Sequence, residues 1–225
     1  MAFRVSFSIN PPYGFHRTIT TSITLKNPEL VEESQCIANL YYKFPVLVFV
    51  DPYELTNYRH LYTFQHHGNP NLELPVAAMD SNGTSLLLSL ASVGPQVDVK
   101  VPVHFRYGEI SHSNSETHRS AELAWPDLFL SCSSSVPKAK GLLSYEPPEE
   151  FASSLGDHYL YTPLQTFDAE PSARFAVVVA PVGQSTDLAQ VRFGTVFTIA
   201  AMFGYLAYVS YMTARRLRKV EKRKG

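Results

Sequence analysis

The stretch VDVKVPVHFRY, residues 97 to 107, carries an apolar side chain at every odd position and Asp, Lys, Pro, His or Arg at every even one. Successive side chains of a strand point to opposite faces of its sheet, so the pattern predicts a strand with one buried face. Pro102 cannot donate a ladder hydrogen bond, which places this strand at a sheet edge or at a bulge. Such an edge could receive another chain, or the proline could simply prevent aggregation.

Six more stretches have the composition of strands. They cover residues 3–9, 18–25, 39–50, 85–93, 127–134 and 173–183. Clusters of Pro, Gly, Asn and Ser stand between them, and no long amphipathic helix pattern intervenes. Short strands separated by turn signals favour an antiparallel β-sandwich over a βαβ fold, so residues 1–191 are expected to form an all-β domain.

A long uncharged segment follows this domain. The 21 residues from Phe193 to Thr213 contain no charge, and as a helix they would extend about 31 Å, enough for a bilayer core. Arg192 and Arg215 bracket the segment, and its second half contains three tyrosines of the kind that anchor helices at membrane interfaces. The sequence predicts a transmembrane helix at 192–214, with a buried helix of a soluble protein as the alternative.

The remaining segment, residues 215–225, is strongly basic. Its charged residues are Arg215, Arg216, Arg218, Lys219, Lys222, Arg223 and Lys224, set against Glu221. This tail carries +6, which leaves −7 for the rest of a chain whose formal net charge is −1. An acidic body argues against a nucleic-acid partner. The positive-inside rule places the tail in the cytosol and residues 1–191 across the membrane.

Translocation of the domain raises a question of topology. The opening MAFRVSFSINPPYGF has no apolar run of signal-peptide length. Either the start of the chain is incomplete or the C-terminal helix directs insertion, and ordinary tail-anchored insertion would leave the domain in the cytosol. Lys222 and Arg223 approximate a dibasic retrieval signal for the endoplasmic reticulum, although a basic cluster flanking a membrane helix explains them more economically.

The segment VDPYEL, residues 50–55, predicts a capped helical turn after a strand. Asp51 suits the N-cap, Pro52 the first helical position, and Glu54 the third, from which it could bond back to the cap. The alternative is that these carboxylates bind a metal or act as acid and base.

Other chemical motifs are missing from the sequence. No pair of histidines has the H-x-x-x-H spacing of a helical zinc site, and the adjacent His66 and His67 are interpreted as loop residues. There is no G-x-S-x-G elbow, P-loop, dinucleotide turn, C-x-x-C or Asp-x-Asp. The sequence therefore predicts no catalytic residue, no cofactor, no metal site and no small-molecule substrate.

Two features bear on the compartment of the domain. Cys36 and Cys132 could form one disulfide in an oxidising lumen or remain buried thiols in the cytosol. Asn82, Gly83 and Thr84 form an N-glycosylation sequon in a turn-like segment, which favours a lumenal domain mildly.

Three motifs in order, FVDPYEL (49–55), VPVHFRY (101–107) and WPDLFLSC (125–132), stand before the single C-terminal span. This arrangement resembles the phosphatidylinositol-glycan biosynthesis class X family from about residue 15 to the end. The positions that match the family pattern are Asp51, Pro52, Tyr53, Glu54, Pro102, His104, Arg106 and Tyr107. The chain departs from it after Pro45, where Val46 and Leu47 replace a common Gly, and in lacking the signal peptide of animal members.

The resemblance implies a non-catalytic, single-span subunit of the endoplasmic reticulum. Such subunits stabilise the multi-spanning class M enzyme of GPI mannosyltransferase I, which adds the first mannose to GPI-anchor precursors from dolichol-phosphate-mannose. The alternatives are an adhesion or receptor-like β-sandwich protein with no role in glycolipid synthesis, and a lumenal hydrolase with an unrecognised site.

Two surfaces are candidates for contact with a partner. Ala200, Gly204 and Ala207 gather small side chains on one helical face, which allows another helix to approach closely, although such residues are common in membrane helices. Lys100, His104 and Arg106 form a predicted outward row on strand 97–107, and we expect this row to contact lumenal loops of the enzyme.

Overall fold

The computed structural model describes residues 2–25, 36–69, 71–112, 116–133, 143–162, 164–167 and 174–224; of residues 2, 164–167 and 220–224 it describes the backbone only. The first seven strands are β1 (Ala2–Asn10), β2 (His16–Leu25), β3 (Cys36–Phe44), β4 (Val48–Phe49), β5 (Tyr62–His67), β6 (Thr84–Leu90) and β7 (Gln96–Phe105). The others are β8 (Gly108–Ser111), β9 (His118–Ala124), β10 (Asp127–Cys132), β11 (Leu143–Ser144), β12 (Tyr159–Thr162), β13 (Leu164–Phe167) and β14 (Phe175–Gln184). The helices are α1 (Pro52–Leu55), α2 (Ala152–Leu155) and α3 (Leu188–Lys224).

The strands form three sheets. A five-stranded sheet has the order β13-β1-β2-β7-β4, and a six-stranded sheet has the order β11-β12-β10-β3-β6-β5. The third sheet has the order β8-β14-β9. Among the described strand pairs, only β1 and β13 run parallel. The predicted all-β class is therefore confirmed as mostly antiparallel sheets followed by one long helix.

The two larger sheets share one hydrophobic core. Ile19 and Val101 of the five-stranded sheet lie in the same buried cluster as Leu40 and Leu88 of the six-stranded sheet. Hydrogen bonds also connect these sheets: the Tyr42 and Thr21 hydroxyls are 2.8 Å apart, and the Tyr62 hydroxyl donates to the Lys100 carbonyl at 2.9 Å.

Strand β7 has the predicted alternation of buried and exposed side chains from Asp98 to Val101, but Pro102, expected on the exposed face, is buried. Val99, Val101 and Val103 are buried, while Asp98 and Lys100 are exposed. Along one side β7 pairs with β2 from Gln96 to His104, whereas on the other side the two-residue β4 pairs only with its last two residues. Most of β7 therefore lies at a sheet edge in the described part of the chain, as Pro102 predicts.

Two sequence-based expectations about strands are wrong. The stretch 39–50 is not one strand, because the chain turns after Phe44 and only resumes pairing at Val48. His66 and His67 are not loop residues: they end β5 and pair with Leu86 and Ser85 of β6. Histidine is no strong strand former, so the local pattern missed a ladder that a neighbouring strand determines.

Helix α3 is longer than its uncharged centre. It begins at Leu188 and continues through the basic residues to Lys224, so it contains the predicted span 192–214. Within the described residues, one helical segment, from Ser185 to Lys219, is long and apolar enough to cross a membrane. Its most apolar window is entirely exposed, unlike the core helix of a soluble protein.

Candidate functional site

The turn after β4 has the predicted helix cap. The Asp51 carboxylate accepts a hydrogen bond from the Tyr53 N–H at 2.8 Å, and Pro52 opens α1, where its missing N–H costs nothing. Leu55 closes the turn with a fully buried side chain. The Asp51 cap and the buried Leu55 together fix the direction in which the Glu54 side chain leaves the backbone.

Glu54 does not bond back to the cap, so the predicted capping box is wrong. Its carboxylate lies between two imidazoles: Oε1 is 3.0 Å from Nε2 of His16, and Oε2 is 2.8 Å from Nε2 of His104. The side chains of His16, Glu54 and His104 are 56%, 25% and 29% exposed. We call these three residues the His-Glu-His cluster.

Strand pairing positions the two imidazoles. His16 opens β2 directly opposite His104 near the end of β7, so both side chains lie on the same face of the sheet. Their ring centroids are 4.6 Å apart, and Phe49 of β4 stacks on the His104 ring at 5.3 Å. The cluster thus joins three segments that are remote in sequence.

Arg106 lies inside the protein, which corrects the predicted outward row. Its guanidinium donates to the backbone carbonyls of Asn71, Leu72 and Leu74 and lies 4.3 Å above the Phe49 ring. The residue is only 6% exposed, and burial lowers the pKa of its guanidinium from the ordinary value. β7 ends at Phe105, so alternation no longer determines the side on which residue 106 lies.

Large aromatic side chains lie beside the cluster along the chain. Tyr53 precedes Glu54 and is exposed, and Tyr107 is exposed three residues after His104. The Tyr107 ring also packs against Phe15, the neighbour of His16, with ring centroids 4.6 Å apart. Exposed tyrosines offer both apolar area and a hydroxyl to a protein partner.

Cys36 and Cys132 form a disulfide in the structure. The two residues are direct cross-strand neighbours, Cys36 at the start of β3 and Cys132 at the end of β10. Sequence spacing left this pairing open, because 96 residues separate the cysteines and only the sheet register brings them together.

The sequon lies in an exposed turn before β6. Asn82 is exposed, and its N–H donates to the Asp80 carboxylate at 3.0 Å. Gly83 has a φ of +71°, and a side chain there would collide with the Phe44 carbonyl, so the turn requires glycine. An N-linked glycan at Asn82 would extend into solvent.

On α3, the small-residue face of Ala200, Gly204 and Ala207 is exposed to its surroundings. Its role in binding another helix stays a prediction.

The positions that match the family pattern differ in burial and in structural role. Asp51 and Pro52 shape the turn, Pro102 and Arg106 are buried, Glu54 and His104 belong to the cluster, and Tyr53 and Tyr107 are exposed.

Sequence reasoning missed the His-Glu-His cluster. Glu54 is 38 residues from His16 and 50 from His104, so no local spacing rule could join them. The available signal was indirect: Glu54 and His104 fall in two different motifs of the same family resemblance. Chemically, two imidazole nitrogens and a carboxylate can share protons or hold a metal ion.

The described residues thus form mostly antiparallel β-sheets followed by one long apolar helix that is a candidate membrane span. The family model described as PIG-X / PBN1 matches residues 12–211. The chain therefore belongs to the PIG-X / PBN1 family, a family of non-catalytic accessory subunits of GPI mannosyltransferase I. Membership implies the endoplasmic reticulum membrane and association with the mannosyltransferase. Comparisons with the curated proteins and with the solved structures gave no match.

Proposed function

We propose that this chain is the stabilising subunit of GPI mannosyltransferase I in the endoplasmic reticulum. In this role it supports the multi-spanning class M subunit, which adds the first mannose to GPI-anchor precursors, and carries no chemistry of its own. The observation that carries the proposal is the family match over residues 12–211, which covers most of the β domain and most of the apolar helix.

The proposed topology places residues 1–191 in the lumen, the span at 192–214 and the tail 215–225 in the cytosol. Three observations support it. The Cys36–Cys132 disulfide is typical of an oxidising compartment. Asn82 lies in an exposed turn where a lumenal oligosaccharide could be attached. The basic residues after Thr213 favour a cytosolic C-terminus.

Stabilisation follows from mass action. If the subunit binds only the folded enzyme, it shifts the enzyme's folding equilibrium by about 2.7 kcal/mol when its free concentration is 100 times the dissociation constant. Changes of this size alter protein abundance in cells severalfold or more, because the unfolded fraction is what degradation removes.

Contact with the enzyme is proposed at two surfaces. In the membrane, Ala200, Gly204 and Ala207 allow a helix of the enzyme to pack closely. In the lumen, Lys100 and the partly exposed His104 remain available to enzyme loops, whereas the buried Arg106 does not. The exposed Tyr53 and Tyr107 extend the lumenal surface beyond the row that the sequence predicted.

A depletion and rescue experiment tests the function. The chain is depleted and then restored with a tagged copy, and three quantities are measured in the same cells: class M enzyme abundance, its recovery with the tagged chain in mild detergent, and the amount of monomannosylated precursor. We expect enzyme abundance and the amount of precursor to fall on depletion and to return on rescue, when the enzyme should be recovered with the tagged copy.

The control separates stabilisation from other roles. The class M enzyme is overexpressed in depleted cells, which should restore part of the precursor if the subunit acts through enzyme abundance. Unchanged enzyme abundance on depletion, with no enzyme recovered in the pull-down, would contradict the proposal and favour the adhesion or receptor-like alternative.

A further inference from the structure

We propose that the His-Glu-His cluster is a binding site for a divalent transition-metal ion of the zinc class. The ligands would be Nε2 of His16, Nε2 of His104 and a carboxylate oxygen of Glu54. This inference concerns a site in the β domain and does not depend on the proposed role of the chain in mannosyltransferase I.

The cluster brings its three ligand atoms close enough to share one ion. Bonds of 2.0 to 2.2 Å at tetrahedral angles place two zinc ligands about 3.4 Å apart. In the cluster the two nitrogen–oxygen separations are 3.0 and 2.8 Å, and the three ligand atoms all lie within 4.8 Å of one another. The present separations are those of hydrogen bonds, so the side chains would have to move apart slightly to surround one ion.

The ligands are held by structure that exists without the ion. His16 and His104 are register partners on neighbouring strands, and Phe49 packs on the His104 ring. Glu54 projects from a turn that is fixed by the Asp51 cap at one end and by the buried Leu55 at the other. A site supported in this way loses little conformational freedom when the ion binds.

The donor set selects the metal class. Two imidazoles and one carboxylate are the protein ligands of many zinc sites, and the same set also suits iron(II). Calcium and magnesium prefer oxygen ligands, which the cluster offers only through Glu54. Three protein ligands leave a fourth position open, and the more than half-exposed His16 leaves that position accessible to water.

A proton and the ion compete for the same atoms. The hydrogen bonds from Nε2 to the Glu54 carboxylate require a proton on each nitrogen, whereas a metal requires the lone pair there. When bound, the ion would tie together the start of β2, the α1 turn and the end of β7.

The test uses the full chain in detergent, without a polyhistidine tag and after removal of metals by a chelator. Zinc affinity and stoichiometry are measured by competition with a chromophoric chelator, and coordination by the visible spectrum of added cobalt(II). We expect one zinc per chain, a tetrahedral cobalt spectrum, and a rise in the midpoint of thermal unfolding that calcium and magnesium do not produce.

Variants decide between this site and adventitious binding. His16→Asn and Glu54→Gln should each weaken zinc binding by at least about 100-fold, since loss of supporting partners alone costs 10- to 100-fold. His60→Asn removes an exposed histidine outside the cluster and should bind zinc like the parent. If Glu54→Gln does not fold, the exposed His16→Asn decides. No zinc binding, or binding that survives in His16→Asn, overturns the proposal, as does an equal loss in His60→Asn.

Discussion

Glu54 Oε2 lies 2.8 Å from His104 Nε2, although fifty residues separate the two in sequence. The contact joins the capped turn after β4 to the end of β7, and the other carboxylate oxygen reaches His16. Two segments that matched the family pattern separately therefore form one structural unit. The Glu54 carboxylate thus links the start of β2, the α1 turn and the end of β7.

Replacing Glu54 with Ala should destabilise the domain. The change leaves the exposed His16 and the partly buried His104 without the acceptor of their Nε2 groups, and because water replaces part of that interaction we expect a loss of about 1 kcal/mol in the free energy of unfolding. Urea unfolding at neutral pH, in a chelator to exclude metal effects, measures it. Glu73→Ala removes an exposed carboxylate in a nearby loop and serves as the control. Equal midpoints for the two variants would contradict the prediction.

Arg106→Lys should destabilise the domain more than its chemical similarity suggests. The guanidinium donates to three backbone carbonyls and stacks on Phe49, whereas an ammonium group cannot reproduce the planar fork or the stacking. We expect a loss of roughly 2 kcal/mol, since several charge-assisted hydrogen bonds are buried here. The exposed Arg59→Lys is the matched control. If Arg106→Lys unfolds like the parent but loses partner recovery, the original outward-row hypothesis is restored.

Local sequence patterns predicted the parts of the fold that depend on residues close together in the sequence. The alternation in β7 followed from burial of one face, and the Asp51 cap followed from the bonding needs of a helix start. Arg106 stands one residue beyond that alternation, and the loop that covers it comes from residues 71–74. The burial of Arg106 depends on residues that are distant in sequence, so the alternation in β7 could not predict it.

The same distinction explains the candidate site. His16, Glu54 and His104 belong to three segments, and only strand register and the direction of one turn bring them together. The disulfide also depends on strand register, since Cys36 and Cys132 are neighbours only because β3 and β10 pair as they do. Sequence-spacing rules describe sites on a single helix or loop, so they cannot predict a site whose residues come from several strands of a sheet.

The pH dependence of stability should contain a contribution from His66. Burial, and secondarily the nearby His67, lower the pKa of His66. The folded chain thus takes up this proton less readily than the unfolded chain, whose histidine pKa is about 6.5. The contribution of His66 to the free energy of unfolding is therefore complete above about pH 6.5. It is lost as the pH falls through the lowered pKa of His66 in the folded chain.

A His66→Gln variant measures the pH-dependent contribution of His66 to stability. Between about pH 7 and pH 5, its free energy of unfolding should fall less steeply than that of the parent, because glutamine does not titrate. Urea unfolding across this range measures both slopes, and the exposed His60→Gln should keep the parental slope. Parallel curves for the parent and His66→Gln would show that His66 carries no such term.

The sequon provides a direct test of topology. If the domain is lumenal, the chain should carry an endoglycosidase-sensitive glycan that disappears in Asn82→Gln and Thr84→Val but persists in Thr84→Ser. Thr84→Val should fold at least as well as the parent, because the Thr84 hydroxyl is buried and has no hydrogen-bond partner among the described residues. A chain that lacks the glycan and whose domain is modified by an amine reagent applied from the cytosolic side would place the domain in the cytosol.

The small-residue face of α3 predicts a specific defect in assembly. Gly204→Ile adds a branched side chain at the centre of the Ala200–Gly204–Ala207 face, which should keep an enzyme helix from approaching closely. We expect recovery of the class M enzyme to fall severalfold, while urea unfolding and glycosylation of the β domain stay parental. Thr198→Ile introduces the same side chain about 120° around the helix and is the matched control, because a general effect on insertion would disturb both. If the two variants recover the enzyme equally, the face is not the contact, and the complex must depend on the lumenal surface around Tyr53 and Tyr107.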